Sequence, residues 1–281
     1  MQIGARLFEG PGPFLMGVVN ATPDSFSDGG RFADVDAAVE QGLALQAEGA
    51  DLVDVGGEST RPGAAPVAAS EEIRRVVPVV ERLRARAPSL PISVDTSKPE
   101  VARAALDAGA DLVNDIRALS APGMAELVAS RGVPAVIMHM RGTPADMASR
   151  AVYRDVVAEV AAELAEAVGR AERAGVPRER IILDPGIGFA KGAEHSIALL
   201  AGLSRLRALG LPLLVGPSRK SFIGKLTGAA VQDRLPGTLA AVAACVLGGA
   251  EFVRVHDVAP ARQAARIAAA IREAAPASRA P

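Results

Sequence analysis

The 281-residue sequence contains no tryptophan, one tyrosine and one cysteine. Aromatic residues make up only 3% of the chain although 49% of it is hydrophobic, so its core has to be built from aliphatic side chains. This composition suits buried parallel strands covered by alanine-rich helices. The lone Cys245, in the apolar run LAAVAACVL, excludes an intramolecular disulfide framework. We expect it to be a buried helix residue in a cytoplasmic protein.

The sequence also lacks an excess of one charge. Its 31 Lys and Arg residues balance 32 Asp and Glu residues, and neither sign forms a long block. We therefore expect a small-molecule ligand, with no nucleic acid and no membrane as partner. Neither a signal-peptide pattern nor an apolar run of roughly 18 residues occurs, which argues against export and membrane insertion. Residues 276–281 are rich in Pro and small residues and are expected to form a flexible tail.

Alternating strand and helix patterns fill the rest of the chain. Apolar runs typical of strands begin at residues 14, 52, 92, 112, 135, 181, 213 and 252. Helix-period segments lie between most of them, and GADLVDV, GADLVND and GAEFVRV form a weak repeat at the helix-to-strand junctions. Eight such units predict a single (β/α)₈ TIM barrel over residues 1–275. Six or seven units would suit an open doubly wound sheet equally well.

Polar side chains end nearly every predicted strand. They are Asn20, Glu58, Asp95, Asn114, Asp115, His139, Asp184, Ser218, Arg219, Lys220, Arg254, His256 and Asp257. In a closed parallel barrel the C-terminal ends of all strands meet at one mouth, so the sequence predicts an active site there. Strand alternation pairs Ser218 with Lys220 and Arg254 with His256, and leaves Arg219 on the exterior.

The acidic members of this set suggest two alternatives. Asp95, Asn114 and Asp184 could bind a flat heterocycle whose edge carries several N–H groups. They could instead be neutralised inside the protein, with Lys220 as the candidate partner. Either solution is needed because a buried carboxylate without a donor is costly.

Cationic donors point to a phosphate or pyrophosphate. They are Arg61, Lys220, Arg254 and His256. Neither GxxxxGK[ST] nor GxGxxG occurs, so side chains rather than a glycine-rich loop would have to bind it. His139, His195 and Cys245 lack zinc-site spacing, and His195 is expected in a loop or at a helix start. Mg²⁺ is compatible with the sequence because it needs few protein ligands, and Asn20 could supply one oxygen.

Eight ordered segments identify a family resemblance. MGVVNATPDSFSDGG, DVGGESTRPGA, SVDTSKPEVA, VNDI, MHMRGTP, LDPGIGFAK, GPSRKSFIG and RVHDV strongly resemble the dihydropteroate synthase family, pterin-binding TIM barrels, from residue 16 to 258. The resemblance implies a transferase of folate biosynthesis that condenses 6-hydroxymethyl-7,8-dihydropterin pyrophosphate with p-aminobenzoate. It further implies a dissociative substitution, bound Mg²⁺ and a homodimer, in a family that is the sulfonamide target.

The resemblance also implies a role for each motif residue. The pterin would contact Asp95, Asn114, Met138, Asp184, Phe189, Gly216 and Lys220. The p-aminobenzoate site would contain Thr60, Pro62, Ser218 and Lys220, and the pyrophosphate would contact Asn20, Arg61, Arg254 and His256, with Asn20 as the metal ligand. The residues expected to carry catalysis are Lys220, Asp95, Asp184, Arg254, Asp28 and Arg61. Loops 20–30 and 59–63 would close over the reacting centre.

One segment departs from the family pattern. In MHMRGTPADMASRAVY the family commonly has Gln after the Met and Pro before the Tyr, and we expect only local consequences. Two alternatives stay open at this stage. A pterin-using methyltransferase would share the barrel and the pterin-binding residues, but it has no pyrophosphate for SRKS and RVHD to bind. A non-catalytic paralogue would keep pterin binding without forming dihydropteroate.

Overall fold

The computed structural model describes residues 1–22, 30–61 and 63–274 of the chain. Its strands are β1 (Gln2–Ile3), β2 (Arg6–Leu7), β3 (Phe14–Asn20), β4 (Leu52–Gly56), β5 (Ile92–Asp95), β6 (Leu112–Asp115), β7 (Ala135–Met138), β8 (Ile181–Asp184), β9 (Leu214–Val215) and β10 (Phe252–Val255). Strands β3 to β10 pair in parallel in the order β8-β7-β6-β5-β4-β3-β10-β9, and a bridge between Leu183 and Leu213 joins the two edges. The eight predicted strands and the TIM-barrel fold are confirmed.

Helices follow the barrel strands. They are α1 (Gly30–Ala47), α2 (Ala69–Arg86), α3 (Pro99–Asp107), α4 (Met124–Arg131), α5 (Val156–Arg173), α6 (Ala193–Ala201), α7 (Leu203–Arg207), α8 (Ser221–Thr227), α9 (Leu235–Leu247) and α10 (Val258–Ala274). His195 lies in the first turn of α6 and Cys245 is fully buried in α9, as predicted. In the described ranges, none of these helices has the length and apolarity to cross a membrane.

Strand alternation divides the barrel interior into two layers. The lower layer, at the N-terminal ends of the strands, is an apolar cluster of Met16, Leu52, Leu112, Val136, Ile182, Leu214 and Phe252. Two residues further along each strand, the side chains of the upper layer include Asp54, Asn114, Met138, Asp184 and Arg254. The apolar layer therefore closes the base, and the charged side chains of the interior strands Leu52–Gly56, Ile181–Asp184 and Phe252–Val255 lie at the mouth.

A short N-terminal hairpin covers the base of the barrel. Strands β1 and β2 pair antiparallel, and the buried side chains of Ile3 and Phe8 join the lower layer. The Phe8 ring centroid lies 5.0 Å from that of Phe14 and 5.5 Å from that of Phe252. The sequence analysis did not predict this hairpin, because strands of two residues carry no usable periodicity.

Candidate active site

Arg254 occupies the centre of the barrel mouth and contacts two carboxylates. Its Nε donates to Asp54 Oδ2 at 2.6 Å and its Nη2 to Asp95 Oδ2 at 2.9 Å. Asn114 Nδ2 donates to the same Asp54 oxygen at 2.9 Å. These four side chains come from β10, β4, β5 and β6, so the network spans half the barrel.

Asp54 was missed by the sequence analysis. It is fully buried, and within the described part of the chain its Oδ1 has no hydrogen-bond partner. Asp54 lies in the middle of β4, whereas the predicted site residues lie at the ends of the strands. A charged residue inside the apolar run LVDVG, in phase with the inward-facing Gly56, would have been the signal.

Of the two alternatives for the acids, internal pairing occurs at Asp95, with Arg254 rather than Lys220 as the partner. The guanidinium of Arg254 reaches Asp95 across the barrel from β10. Asp184 Oδ1 accepts the Gly186 backbone N–H at 2.7 Å. The acids at the mouth therefore have protein donors, but not the donor that the sequence suggested.

Burial shifts the pKa of the charged groups at the mouth. It raises the pKa of Asp184 to about 6 and lowers the pKa of Lys220 to about 8. The pKa of Asp95 is raised by burial and by the negative charge of Asp54, against the opposing effect of Arg254. These carboxylates lack full compensation from the protein, which favours a ligand that brings N–H donors.

The wall beside these carboxylates is partly apolar. Lys220 Nζ lies 4.1 Å from the centroid of the Phe189 ring, and Met138 is buried directly opposite Asp184 on the neighbouring strand. Gly216 follows β9, and a Cβ there would come no closer than 3.8 Å to Arg254. A flat ring could lie between this wall and the acids.

His139 and the loop after β8 form a second network. The Lys191 ammonium lies 2.9 Å from His139 Nδ1 and donates to the carbonyls of His139 and Phe189 at 3.2 and 2.8 Å. His139 Nε2 lies 2.9 Å from Glu163 Oε2 on α5. His139 thus contacts the loop after β8 from outside the mouth. The sequence did not single out Lys191, which is buried.

Ser218 and His256 lie together, as strand alternation allowed. Ser218 Oγ is 2.9 Å from His256 Nδ1. Burial, assisted by the charge of Arg254, lowers the pKa of His256 to about 4. In the free protein at neutral pH this side chain is therefore a neutral hydrogen-bonding group, not the cation that the sequence suggested.

Other predicted residues lie at the rim or outside it. Arg219 faces outward and pairs with Asp257 at 2.6 Å, as strand alternation predicted. Asp115 also faces outward, where it accepts the backbone N–H groups of Arg117 and Leu119. Asn20 ends β3 in a partly exposed position.

The loops at the mouth are described in part. Thr60 is half-buried and Arg61 exposed, whereas Asp28 and Pro62 lie outside the described residues. Gly63 N–H donates to the carbonyl of Pro144 at 3.0 Å, so the segment that departs from the family pattern contacts the loop after β4. Within the described ranges, no group of three His, Cys, Asp or Glu residues is placed to hold a metal ion.

The site and fold correspond to a known family of enzymes. Residues 16–256 match the family model described as pterin binding enzyme. This match covers most of the chain, which therefore belongs to the pterin-binding enzyme family.

Similar proteins narrow the assignment to one activity. The dihydropteroate synthase of Escherichia coli K12 is 48% identical over 255 residues, covering 91% of this chain and 90% of that protein. The Synechocystis enzyme of the same name is 45% identical, covering 96% and 94%. A Xanthomonas albilineans dihydropteroate synthase solved with 4-aminobenzoic acid has a TM-score of 0.88 and 51% identity, with 94% of both chains covered. Within the family the chain groups with the dihydropteroate synthases, which are transferases.

Proposed function

We propose that the protein joins 6-hydroxymethyl-7,8-dihydropterin pyrophosphate to p-aminobenzoate, giving 7,8-dihydropteroate and pyrophosphate. The observation that carries this proposal is the set of the buried Asp54, Asn114 and Asp184 and the half-buried Asp95 around Arg254 at the barrel mouth. A structure of the Xanthomonas albilineans enzyme, 48% identical, contains 7,8-dihydropteroate. The same pocket of this protein would hold that product.

The pterin binds through its N–H-rich edge to Asp95, Asn114 and Asp184. Ionised carboxylates and an amide oxygen accept these N–H groups, which supplies the donors that the free site lacks. Phe189, Met138 and Gly216 flank the ring, and Lys220 lies against the Phe189 ring from the same side. Binding is favoured because the ligand compensates buried charge.

The reaction is a dissociative substitution. The carbon–oxygen bond to pyrophosphate breaks first, and the bonding electron pair leaves with the anion. Positive charge that develops on the pterin is stabilised by the carboxylates of Asp95 and Asp184. The neutral amine of p-aminobenzoate then forms the carbon–nitrogen bond and releases one proton.

The departing anion is held by Arg254, His256 and Arg61. Arg254 carries a permanent charge, since the neighbouring Asp54 and Asp95 raise its pKa despite its burial. Mg²⁺ fits this site because the partly exposed amide oxygen of Asn20 suits an ion bound mainly by phosphates and water. When bound, Mg²⁺ would neutralise charge on the leaving pyrophosphate.

p-Aminobenzoate binds at the outer edge of the pterin pocket. Thr60 comes from the loop after β4, and Ser218 and Lys220 come from the segment after β9. Asp28 and Pro62, which the family resemblance also assigns to this region, lie outside the described residues. The p-aminobenzoate amine would then face the reacting carbon of the pterin.

We also propose a homodimer in the cytoplasm. The segment from α8 to α10, in which α9 packs against both other helices, carries five exposed large apolar side chains, namely Leu226, Val231, Leu247, Ile267 and Ile271. An apolar surface of this kind favours self-association. Sedimentation analysis of the wild type and of an Ile267→Glu/Ile271→Glu variant tests the proposed dimer, and we expect the variant to be monomeric. The reduced, buried Cys245 supports a reducing compartment.

The function is tested by following pyrophosphate and dihydropteroate together. The purified protein receives dihydropterin pyrophosphate and Mg²⁺, with and without p-aminobenzoate. We expect dihydropteroate only with both substrates, and a loss of at least 100-fold in kcat/KM in a Lys220→Met variant. Arg219→Met is the matched control, since Arg219 is adjacent in sequence but faces outward. Pterin binding without product would contradict catalysis and indicate a non-catalytic paralogue.

A further inference from the structure

Three charged side chains form a cluster beside the active site that the proposed reaction does not use. Lys98 Nζ donates to Glu58 Oε2 at 2.8 Å and also to Glu72 Oε2. Glu58 follows β4, Glu72 lies in the first turn of α2, and Lys98 precedes α3. The carboxylate of Glu72 is completely buried, so the cluster is an internal structure rather than a solvated surface pair.

The same cluster binds both ends of the loop between β4 and α2. Glu58 Oε1 accepts the backbone N–H of Val67 at 2.5 Å, which joins the start of the loop to its end. Gly57 packs against α2, where an added Cβ would lie 2.8 Å from Val76, and its carbonyl accepts from Arg75 at 2.9 Å. The loop is therefore held at both of its ends, and at Gly63 by the hydrogen bond to Pro144.

We infer that Lys98 and Glu58 are positioning residues for the p-aminobenzoate site. The segment that they close carries Thr60 and Arg61, so fixing its ends sets where these two side chains stand at the mouth. The inference rests on the proposed function, since it concerns the second substrate of that reaction. By the clamp we mean Glu58, Val67 and Lys98. Asp95 ends β5, but its carboxylate is held by Arg254 and not by the clamp, and the other pterin-binding residues lie on or after β6 to β9.

The electrostatics agree with a preformed clamp. Burial disfavours the charged form of Lys98, but the hydrogen bonds that it donates to Glu58 and Glu72 prevail and raise its pKa. Lys98 therefore stays protonated throughout the neutral range and holds both carboxylates. Lys98 also lies three residues after Asp95, so it links the loop after β4 to the end of β5, the strand that carries a site acid.

The test separates the two substrates. In a Glu58→Ala variant the Lys98–Glu72 pair remains, so the fold is retained while the loop closure is lost. We expect the KM for p-aminobenzoate to rise about tenfold and the KM for the pterin substrate to change less than twofold. Glu58→Gln, which keeps one of the two contacts, should give an intermediate value. Glu81→Ala, an exposed carboxylate on the same helix α2, is the control and should match the wild type.

Hydrogen exchange gives a readout that is independent of activity. The Val67 amide should exchange at least tenfold faster in Glu58→Ala than in the wild type, while amides of β5 and β6 keep their rates. Unchanged Val67 exchange, or an equal rise in both KM values, would overturn the inference. A wild type that forms no dihydropteroate contradicts the proposed function, whereas an active wild type with an unaffected Glu58→Ala variant contradicts the clamp.

Discussion

Asp184 illustrates at the residue scale how function opposes stability. Burial raises its pKa from 3.8 to about 6, so the folded state binds this proton more tightly than the unfolded chain does. Protonated Asp184 therefore contributes stability at low pH, and this contribution is lost as the pH rises through 6. At pH 7 the ionised carboxylate therefore destabilises the fold.

Replacing this carboxylate by an amide should make the protein more stable and less active. In Asp184→Asn we expect the free energy of unfolding at pH 7 to rise by about 1–3 kcal/mol, since the amide oxygen can still accept the Gly186 N–H. The affinity for the pterin substrate should fall at least tenfold. Urea denaturation and calorimetric titration measure the two effects. Asp257→Asn, on the exterior, is the control, and a destabilised Asp184→Asn protein would contradict the prediction.

Lys220 predicts a limit on activity at alkaline pH. Burial lowers its pKa to about 8 and raises the pKa values of Asp184 and Asp95 to about 6 and about 7, so kcat/KM for the pterin substrate should be highest between about pH 7 and pH 8. In Lys220→Arg the fall in kcat/KM at alkaline pH should shift to a pH more than two units higher, because a guanidinium remains charged in this range. A fall that stays near pH 8 in this variant would assign it to another group.

Single residues also show what sequence alone could reach. Asp95, Asn114 and Asp184 were predicted because each polar side chain ends an apolar strand. Asp54 was missed although its phase with Gly56 marks it, because it does not end its strand, and Lys191 was missed because it lies in a loop without periodicity. The pairing of Asp95 with Arg254 could not be assigned from sequence, since a contact across the barrel depends on side-chain reach that local patterns do not encode.

At the scale of elements, the loop after β8 depends on a close backbone contact. Gly186 has φ +67°, and a Cβ there would lie 2.0 Å from the carbonyl oxygen of His139. Gly186→Ala should therefore destabilise the fold by at least about 3 kcal/mol and raise the KM for the pterin substrate.

A second glycine supplies the matched control for this substitution. Gly210 has a similar φ of +72° but nothing within 4 Å of the added Cβ. Gly210→Ala should cost about 1–2 kcal/mol through backbone strain alone and leave both KM values unchanged. Chemical denaturation and steady-state kinetics on the two variants separate the effect of the close contact with His139 from the effect of backbone strain. Equal effects would show that contact with β7 is unimportant.

Strands were the most predictable elements because buried parallel strands are short, apolar and rich in Val and Ile. All eight barrel strands begin within one residue of the predicted run. The N-terminal hairpin could not be predicted, since its two-residue strands are defined by what they cover rather than by their own pattern.

The whole molecule needs that hairpin for stability and not for chemistry. Phe8 is buried against Phe14 and Phe252 at the barrel base, far along the strands from the mouth. Phe8→Ala should lower the free energy of unfolding by about 3–4 kcal/mol and leave both KM values within twofold. Leu7→Ala, whose side chain is 54% exposed, should change stability by less than about 0.5 kcal/mol. Thermal melts and kinetics check both, and a changed KM in Phe8→Ala would show that the layers are coupled.

The two layers of the barrel interior differ in how freely selection can alter them. At the base, where Met16, Leu52 and Phe252 pack only by volume, aliphatic exchanges can accumulate as neutral variation. At the mouth, two residues further along the same strands, Asp54, Asn114, Asp184 and Arg254 each make a particular hydrogen bond. A deletion of one residue within a strand would turn both layers outward together. These strands should therefore tolerate substitutions, whereas insertions and deletions should be confined to the loops.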